Sequence, residues 1–352
     1  MKFPRPATLH IVLPIGQTLA LAVLIVALIA TAAEGIARLP AVESHLPAPS
    51  IGSSHEQFEV QLYLLEKYAA ADPIDCFFLG SSMVWRGIDP ARFADAYAAQ
   101  TGESLRCFVL GVNALTASGA AILAGYVVNT YHPRLLIYGV SPRDFNRAVT
   151  VQGFAARQFN TLDWLRYRRG TFNVTGWLFD HSAAFGYAYF YRAWMLPDFP
   201  EQVQSRRERE NSTHADGYSP YWETLTWPVS GHEKQRMNLI YRQYTPVLDE
   251  LDAVRQIVAL RGQTQVILVE VPQHEDVITK LIGSEAYALF NSQIDEITTP
   301  ARVLYWPTTL LGLIPDEGWY NLNHLNDTGA QIFSRWLGEQ VGAAANAGEL
   351  AR

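Results

Sequence analysis

The chain has 352 residues, 49% of them apolar and only 17% charged, which is ample for one large domain or two. Its net charge of −7 and the lack of any long basic run argue against nucleic acid as a partner.

Residues 11–33 form an apolar run long enough to cross a bilayer as a helix. Lys2 and Arg5 precede the run without an acid beside them, and Glu34 follows it at once. By the positive-inside rule residues 1–10 are a cytoplasmic tail, residues 11–33 a single-pass transmembrane anchor, and everything after residue 34 is exported. The competing reading is a cleaved signal peptide ending near Ala30-Thr31-Ala32, but the run exceeds the usual signal core of about 7–15 residues. Residues 34–55 contain Pro40, Pro47, Pro49 and Gly52 and read as a tether.

A single domain is expected over residues 56–345. Apolar positions at helical spacing predict a helix over 56–69. Strands are predicted at 74–79, 106–110 and 135–140, with helices from Asp89-Pro90 to about residue 100 and over 117–129. Further on come a long helix over about 238–261, strands at 264–271 and 302–306, and a last helix from about Asp327. Strands alternating with helices imply a parallel sheet covered on both faces, with its ligand site at the carboxyl ends of the strands. Cys76 and Cys107 each lie four residues before the glycine that ends an apolar run. That places them as neighbours on adjacent strands, where two buried thiols are favoured over a disulfide.

Residues 146–237 interrupt the alternation. They hold Trp164, Trp177, Trp194, Trp222 and Trp227, and read as a helical, aromatic-rich insertion near the catalytic face. Most of these aromatics are expected to fill a small secondary core, with a binding surface for sugar, lipid or a membrane partner as the alternative. His274 and Glu275 follow a predicted strand, but without paired His spacing they read as a solvated loop rather than a metal site.

The chemistry concentrates at two places. Cys76-Phe-Phe-Leu-Gly80-Ser81-Ser82 puts a serine where a buried strand turns into a helix, whereas Gly52-Ser53-Ser54 has the same letters with no strand before it. Near the other end, Asn321-Leu-Asn-His324 stands just ahead of the last helix. A serine hydroxyl is a weak nucleophile until a base takes its proton, and histidine can take that proton and return it to a leaving group. The pair points to acyl transfer by Ser82 with His324 as general base.

These blocks resemble those of the SGNH (GDSL-like) hydrolases, in particular a membrane-anchored bacterial branch that includes D-alanyl transfer and alginate O-acetylation proteins. Gly80-Ser81-Ser82-Met83 matches the first block, Cys107-Phe-Val-Leu-Gly111-Val-Asn113 the second, and Asn321-Leu-Asn-His324 the last. The resemblance spans roughly residues 72–342 and implies a three-layer, flavodoxin-like α/β fold. It makes Ser82 the nucleophile, gives Asn321 the acid position of the triad, and places the oxyanion hole at the amides of Ser82 and Gly111. The third block reads Gly139-Val-Ser141-Pro142 and lacks the family's asparagine, so Asn113 or Ser141 is left to supply that donor. With no carboxylate at residue 321, Asp316 or Glu317 can serve as the acid, or the site can run as a dyad. The resemblance implies an acyl ester, small or on a surface polymer, as substrate, with an acetyl or D-alanyl group and neither cofactor nor metal. The alternative is a non-catalytic accessory protein, a pseudoenzyme that docks to a membrane O-acyltransferase or an envelope assembly machine.

Overall fold

The computed structural model describes residues 14–150, 153, 155–241 and 244–350. Lys2, Arg5, the expected cytoplasmic tail and the first three residues of the expected span lie outside the described residues.

Helix α1 (Ile15–Ala37) is 23 residues long, apolar and unburied over its most hydropathic stretch, so it is long enough to cross a membrane. It begins just after Pro14, which lacks the N–H that an earlier turn would need. Glu34, expected just beyond the span, sits inside the last turn of α1.

Five parallel strands build the sheet: β1 (Cys76–Gly80), β2 (Cys107–Gly111), β3 (Leu135–Val140), β4 (Gln265–Glu270) and β5 (Leu304–Trp306), in the order β2-β1-β3-β4-β5. This is the flavodoxin-like order expected. Its switch point falls between β1 and β3, so the crevice opens where β1 ends and Ser82 begins. Strands β1 to β4 are almost wholly buried because both faces are covered, and the edge strand β5 is half-buried. On one face Phe77, Leu79, Phe108, Leu136 and Leu268 pack under α2 (Glu56–Ala71) and α5 (Ala117–Tyr131), joined by α7 (Leu248–Ala259) and α8 (Ser284–Ala301). On the other, Phe78, Val109, Ile137 and Val269 pack under α3 (Ser82–Gly87), α4 (Pro90–Thr101) and the final helix α9 (Asp327–Asn346). Asp89 caps α4 by accepting from the amides of Ala91 and Arg92, with Pro90 in the first turn. Cys76 and Cys107 face each other in register on β1 and β2, both buried and unbonded.

Two expectations are corrected and one helix is added. The helix expected over 238–261 is two helices, α6 (Gly231–Tyr241) and α7, because Pro246 between them cannot donate to a helical ladder and disfavours helix at the residue before it. Its carbonyl neighbourhood is instead tied to Asn146, which pairs with Pro246 in an isolated bridge and accepts from the Thr245 amide. Helix α8, which completes the last crossover, was not read from the sequence; it carries Pro300 in its final turn. The expected tether is docked rather than loose. The buried carboxylate of Glu59 accepts from Ser50 Oγ and the amides of Ile51 and Ser53, and pairs with Arg206 at 2.6 Å. Arg206 also donates from Nε to the Ala48 carbonyl and from Nη2 to the Pro49 carbonyl. A buried ion pair persists only when its other hydrogen-bonding groups are satisfied, and here the tether backbone satisfies them.

The insertion is helical, as expected, and it holds both ends of the fold. The carboxylate of Glu34 accepts from Ser182 Oγ and from the amides of Ala183 and Ala184, which open the helix Ala183–Tyr191. This fixes the end of α1 to the domain through an acid at a helix N-terminus. Farther on, the Val109 amide donates to Asp216, so residues 214–218 cover the open edge of β2. The aromatics do not all fill a core. Trp164 is 3% exposed, but Trp177, Trp194, Trp222 and Trp227 are 42–72% exposed.

Candidate active site

Glycines set how near helix α3 comes to the sheet. Gly80, Gly111 and Gly139 stand side by side in register at the carboxyl ends of β1, β2 and β3. A Cβ on Gly80 or Gly139 would run into Val84, at 2.4 and 2.2 Å. One on Gly111 would meet the backbone of Trp85 at 2.6 Å. Side chains at these positions would lift α3, so the glycines let its first turn rest on the sheet and fix where Ser82 stands. Ser81 caps that turn, and Ser82 follows it as one of the half-exposed residues of a helix otherwise mostly buried.

His324 is brought to Ser82 by a tight hairpin. Strands β6 (Trp319–Asn321) and β7 (His324–Leu325) pair antiparallel with Asn321 opposite His324. Leu322 and Asn323 are the turn, which explains the spacing of two residues between the functional positions. Asn326 then caps α9 through the Gly329 amide.

Ser82 Oγ lies 2.9 Å from His324 Nε2, and Asn321 Oδ1 lies 3.1 Å from His324 Nδ1. All three residues of the expected catalytic set are therefore in line. Asn321 Oδ1 also accepts from the backbone amides of Asn323 and His324, at 3.0 and 2.9 Å. Two fixed donors leave no doubt which end of the side-chain amide faces the ring. An oxygen there requires a proton on Nδ1, which leaves Nε2 free to accept the proton of Ser82. Neither Asp316 nor Glu317 contributes a hydrogen bond to the ring, so the orienting partner is Asn321.

Burial pushes the His324 pKa down to about 3, and Arg236, Arg143 and Arg86 add to the shift in that order. Sequence reasoning missed these arginines. Arg86 is four residues after Ser82, hence on the same face of α3 one turn along, and that spacing was legible. Arg143 follows β3, and Arg236 comes from α6 in the insertion, where nothing in the sequence marks its destination. The missed rings Tyr221 and Tyr241 also border the site. Tyr221 stands edge-on to His324 and stacks on Tyr320 at 3.7 Å, while the Tyr241 phenol lies beside Ser141 and Asn323.

The oxyanion donors need revision. The Gly111 carbonyl accepts from Gln57 Nε2, and the Asn113 amide donates to Gln57 Oε1. Alternation along β2 turns the Gly111 amide to the same side as that of Val109, which points away from β1 to Asp216, while Val112 points back to Gly80. Gly111 thus acts as floor beneath α3 rather than as a donor over Ser82. Asn113 retains only its half-buried side-chain amide. The next residue, Ala114, has φ 58° in the turn closed by Leu115 N to Val112 O, a conformation that favours glycine, and its amide makes no hydrogen bond among the described residues. Ser141 is committed elsewhere, its hydroxyl capping the turn Pro142–Phe145.

His274, expected in a solvated loop, is 8% exposed between Trp227 and Trp319, and its Nδ1 accepts the Asp276 amide. Glu275 is exposed. Among the described residues no group of three His, Cys, Asp or Glu side chains could hold a metal ion.

Three solved structures resemble the chain. A candidate acylhydrolase from Bacteroides fragilis shares 10% identity over 80% of this chain and 94% of its own, with a TM-score of 0.37. A GDSL-like lipase from Bacteroides thetaiotaomicron shares 11% over 82% and 99%, with a TM-score of 0.38. A candidate arylesterase from Agrobacterium tumefaciens shares 11% over 76% and 97%, with a TM-score of 0.33. Likeness at this level carries no inference about chemistry, which rests on the geometry above. No protein-family model and no curated protein sequence matches the chain.

Proposed function

We propose that the protein is an SGNH-type serine esterase or O-acyltransferase, held at a membrane by α1 with its catalytic domain on the outer side. The observation that carries this reading is the aligned chain Ser82 Oγ, His324 Nε2, His324 Nδ1 and Asn321 Oδ1. In the forward step Ser82 Oγ bonds to the acyl carbon as its proton passes to Nε2. The tetrahedral intermediate collapses, the ester C–O bond breaks, and the proton on Nε2 goes to the departing alcohol oxygen. The acyl-serine is then released to water or to an acceptor hydroxyl by the reverse proton path. The oxyanion is met by the Ser82 amide in the first turn of α3, where helix N–H groups lack intrahelical partners, and by Ala114 N–H or the Asn113 side chain from the turn after β2. A surface polymer as the acylated partner follows only from the resemblance of the sequence blocks.

The test is a fluorophosphonate, which reacts only with an activated serine. Wild-type protein is expected to gain one adduct, on Ser82, and Ser82→Ala to gain none. A folded wild type that stays unlabelled points instead to the accessory role at a membrane O-acyltransferase. Orientation is checked separately. A tag at residue 1 should survive protease in intact cells while a tag at residue 352 is cut from the outer side, and the reverse pattern rejects the anchor's direction.

A further inference from the structure

Resting on the esterase reading, we propose that the substrate carries a negative charge next to its ester, and that this charge supplies what the triad lacks at Asn321. The groups facing His324 are lopsided in sign. Arg86 arrives from α3, Arg143 from the turn after β3 and Arg236 from α6, and among the described residues these are the charged side chains that act on the ring. Tyr221 and Tyr320 add only phenols. Two of the cations have acids of their own: Arg143 pairs with Asp144 at 2.9 Å, and Arg236 pairs with Glu233 through both nitrogens. Arg236 also donates to Asn323 Oδ1, one residue from the catalytic histidine.

Arg86 is different. It forms no ion pair among the described residues. Its guanidinium lies between the rings of Trp85 and Tyr221, with Nη1 on the carbonyls of Ser219 and Pro220 and on the Ser219 hydroxyl. Its Nε is buried without a partner. A half-buried cation held by neutral groups, one helical turn from the nucleophile, keeps its charge for something that is not part of the protein. Burial disfavours that charge, and an anion beside it would offset that cost.

The same anion would act on the base. In an ordinary triad a carboxylate stabilises the imidazolium that forms during attack. Asn321 orients the ring but brings no charge, and the three arginines oppose imidazolium. A bound carboxylate or phosphate neutralises part of that field while the substrate is in place, so the site becomes reactive when the right ester fills it. The fit is to an acyl ester of an acid-bearing alcohol, or to an ester whose acyl group itself ends in a carboxylate.

The experiment compares matched esters at one pH. 4-Acetoxybenzoate and its neutral methyl ester have the same reacting bond, 4-acetoxyphenyl phosphate and its neutral dimethyl ester replace the carboxylate by phosphate, and phenyl hemisuccinate and its neutral methyl ester put the charge on the acyl side. We expect kcat/KM for at least one anionic ester to exceed that of its neutral match by tenfold or more, and the arm that wins identifies the source of the charge. Arg86→Gln and Arg236→Gln should each drive that ratio toward one. The kcat profile of the preferred ester should have its acidic limb at higher pH than that of the neutral ester, because a nearby anion favours imidazolium. A merely structural role for the arginines would leave both ratio and limb in place. Equal rates on all pairs overturn the inference while leaving the esterase reading intact. If no ester turns over, calorimetry on Ser82→Ala still decides: binding of 4-acetoxybenzoate no tighter than of its methyl ester rejects the anion site.

Discussion

Ser82→Ala and His324→Ala should each lower turnover of an activated acetyl ester by about 10³-fold or more, and the double variant should be no worse than either single one. The two side chains make one hydrogen bond at 2.9 Å and perform one proton transfer, so either loss stops the same step. Both substitutions should spare the fold. Ser82 is half-exposed at the start of a helix whose cap is Ser81, and the His324 backbone keeps its bond to Asn321 Oδ1 whatever its side chain. The measurement is initial rate against enzyme concentration, with far-UV circular dichroism and thermal midpoints for each variant. Additive losses, or a well-folded His324→Ala with near-normal rates, would remove His324 from the mechanism.

Much of this was legible because the signals are local. Continuous apolar runs predict three parallel strands, and the register shows why Gly80, Gly111 and Gly139 stand at or next to their ends: α3 lies on them. The serine and histidine were legible because each sits at a junction of elements. What was not legible depends on contacts far apart in the chain. Arg206 reaches Glu59 across 147 positions, and no period or cap in either segment announces that the expected tether is bolted down. Arg236 reaches the site only through the fold of the insertion, whose short helices lack a strong apolar stripe. The position of Gly111 in its block implies a donor, whereas strand alternation turns its amide away from β1 and Gln57 from another helix holds its carbonyl. Pro246 is visible in the sequence, and it divides the segment expected as one long helix.

Asn321→Asp is the substitution expected to raise activity. Asn321 Oδ1 receives three N–H groups, from Asn323, His324 and the His324 ring, and a carboxylate oxygen can accept all three unchanged. The geometry therefore stays, and what is added is a full negative charge against Nδ1. Arg236, one hydrogen bond away on Asn323, together with Arg143 should favour the ionised form of the new acid. The sign follows directly. A carboxylate stabilises imidazolium, so the depressed His324 pKa rises, and the base must still be neutral to accept from Ser82. The acidic limb of kcat/KM should thus move to higher pH, while the plateau near neutrality should climb about 10-fold or more as the imidazolium in the transition state is stabilised. Asn321→Ala removes orientation but leaves the base, so its loss should be smaller than that of His324→Ala. The pH–rate profiles of wild type, Asn321→Asp and Asn321→Ala on one neutral activated ester make the comparison. If the Asp variant keeps the wild-type limb and plateau, the residue at 321 does not act on the ring during catalysis, and the dyad of Ser82 and His324 works without an orienting partner.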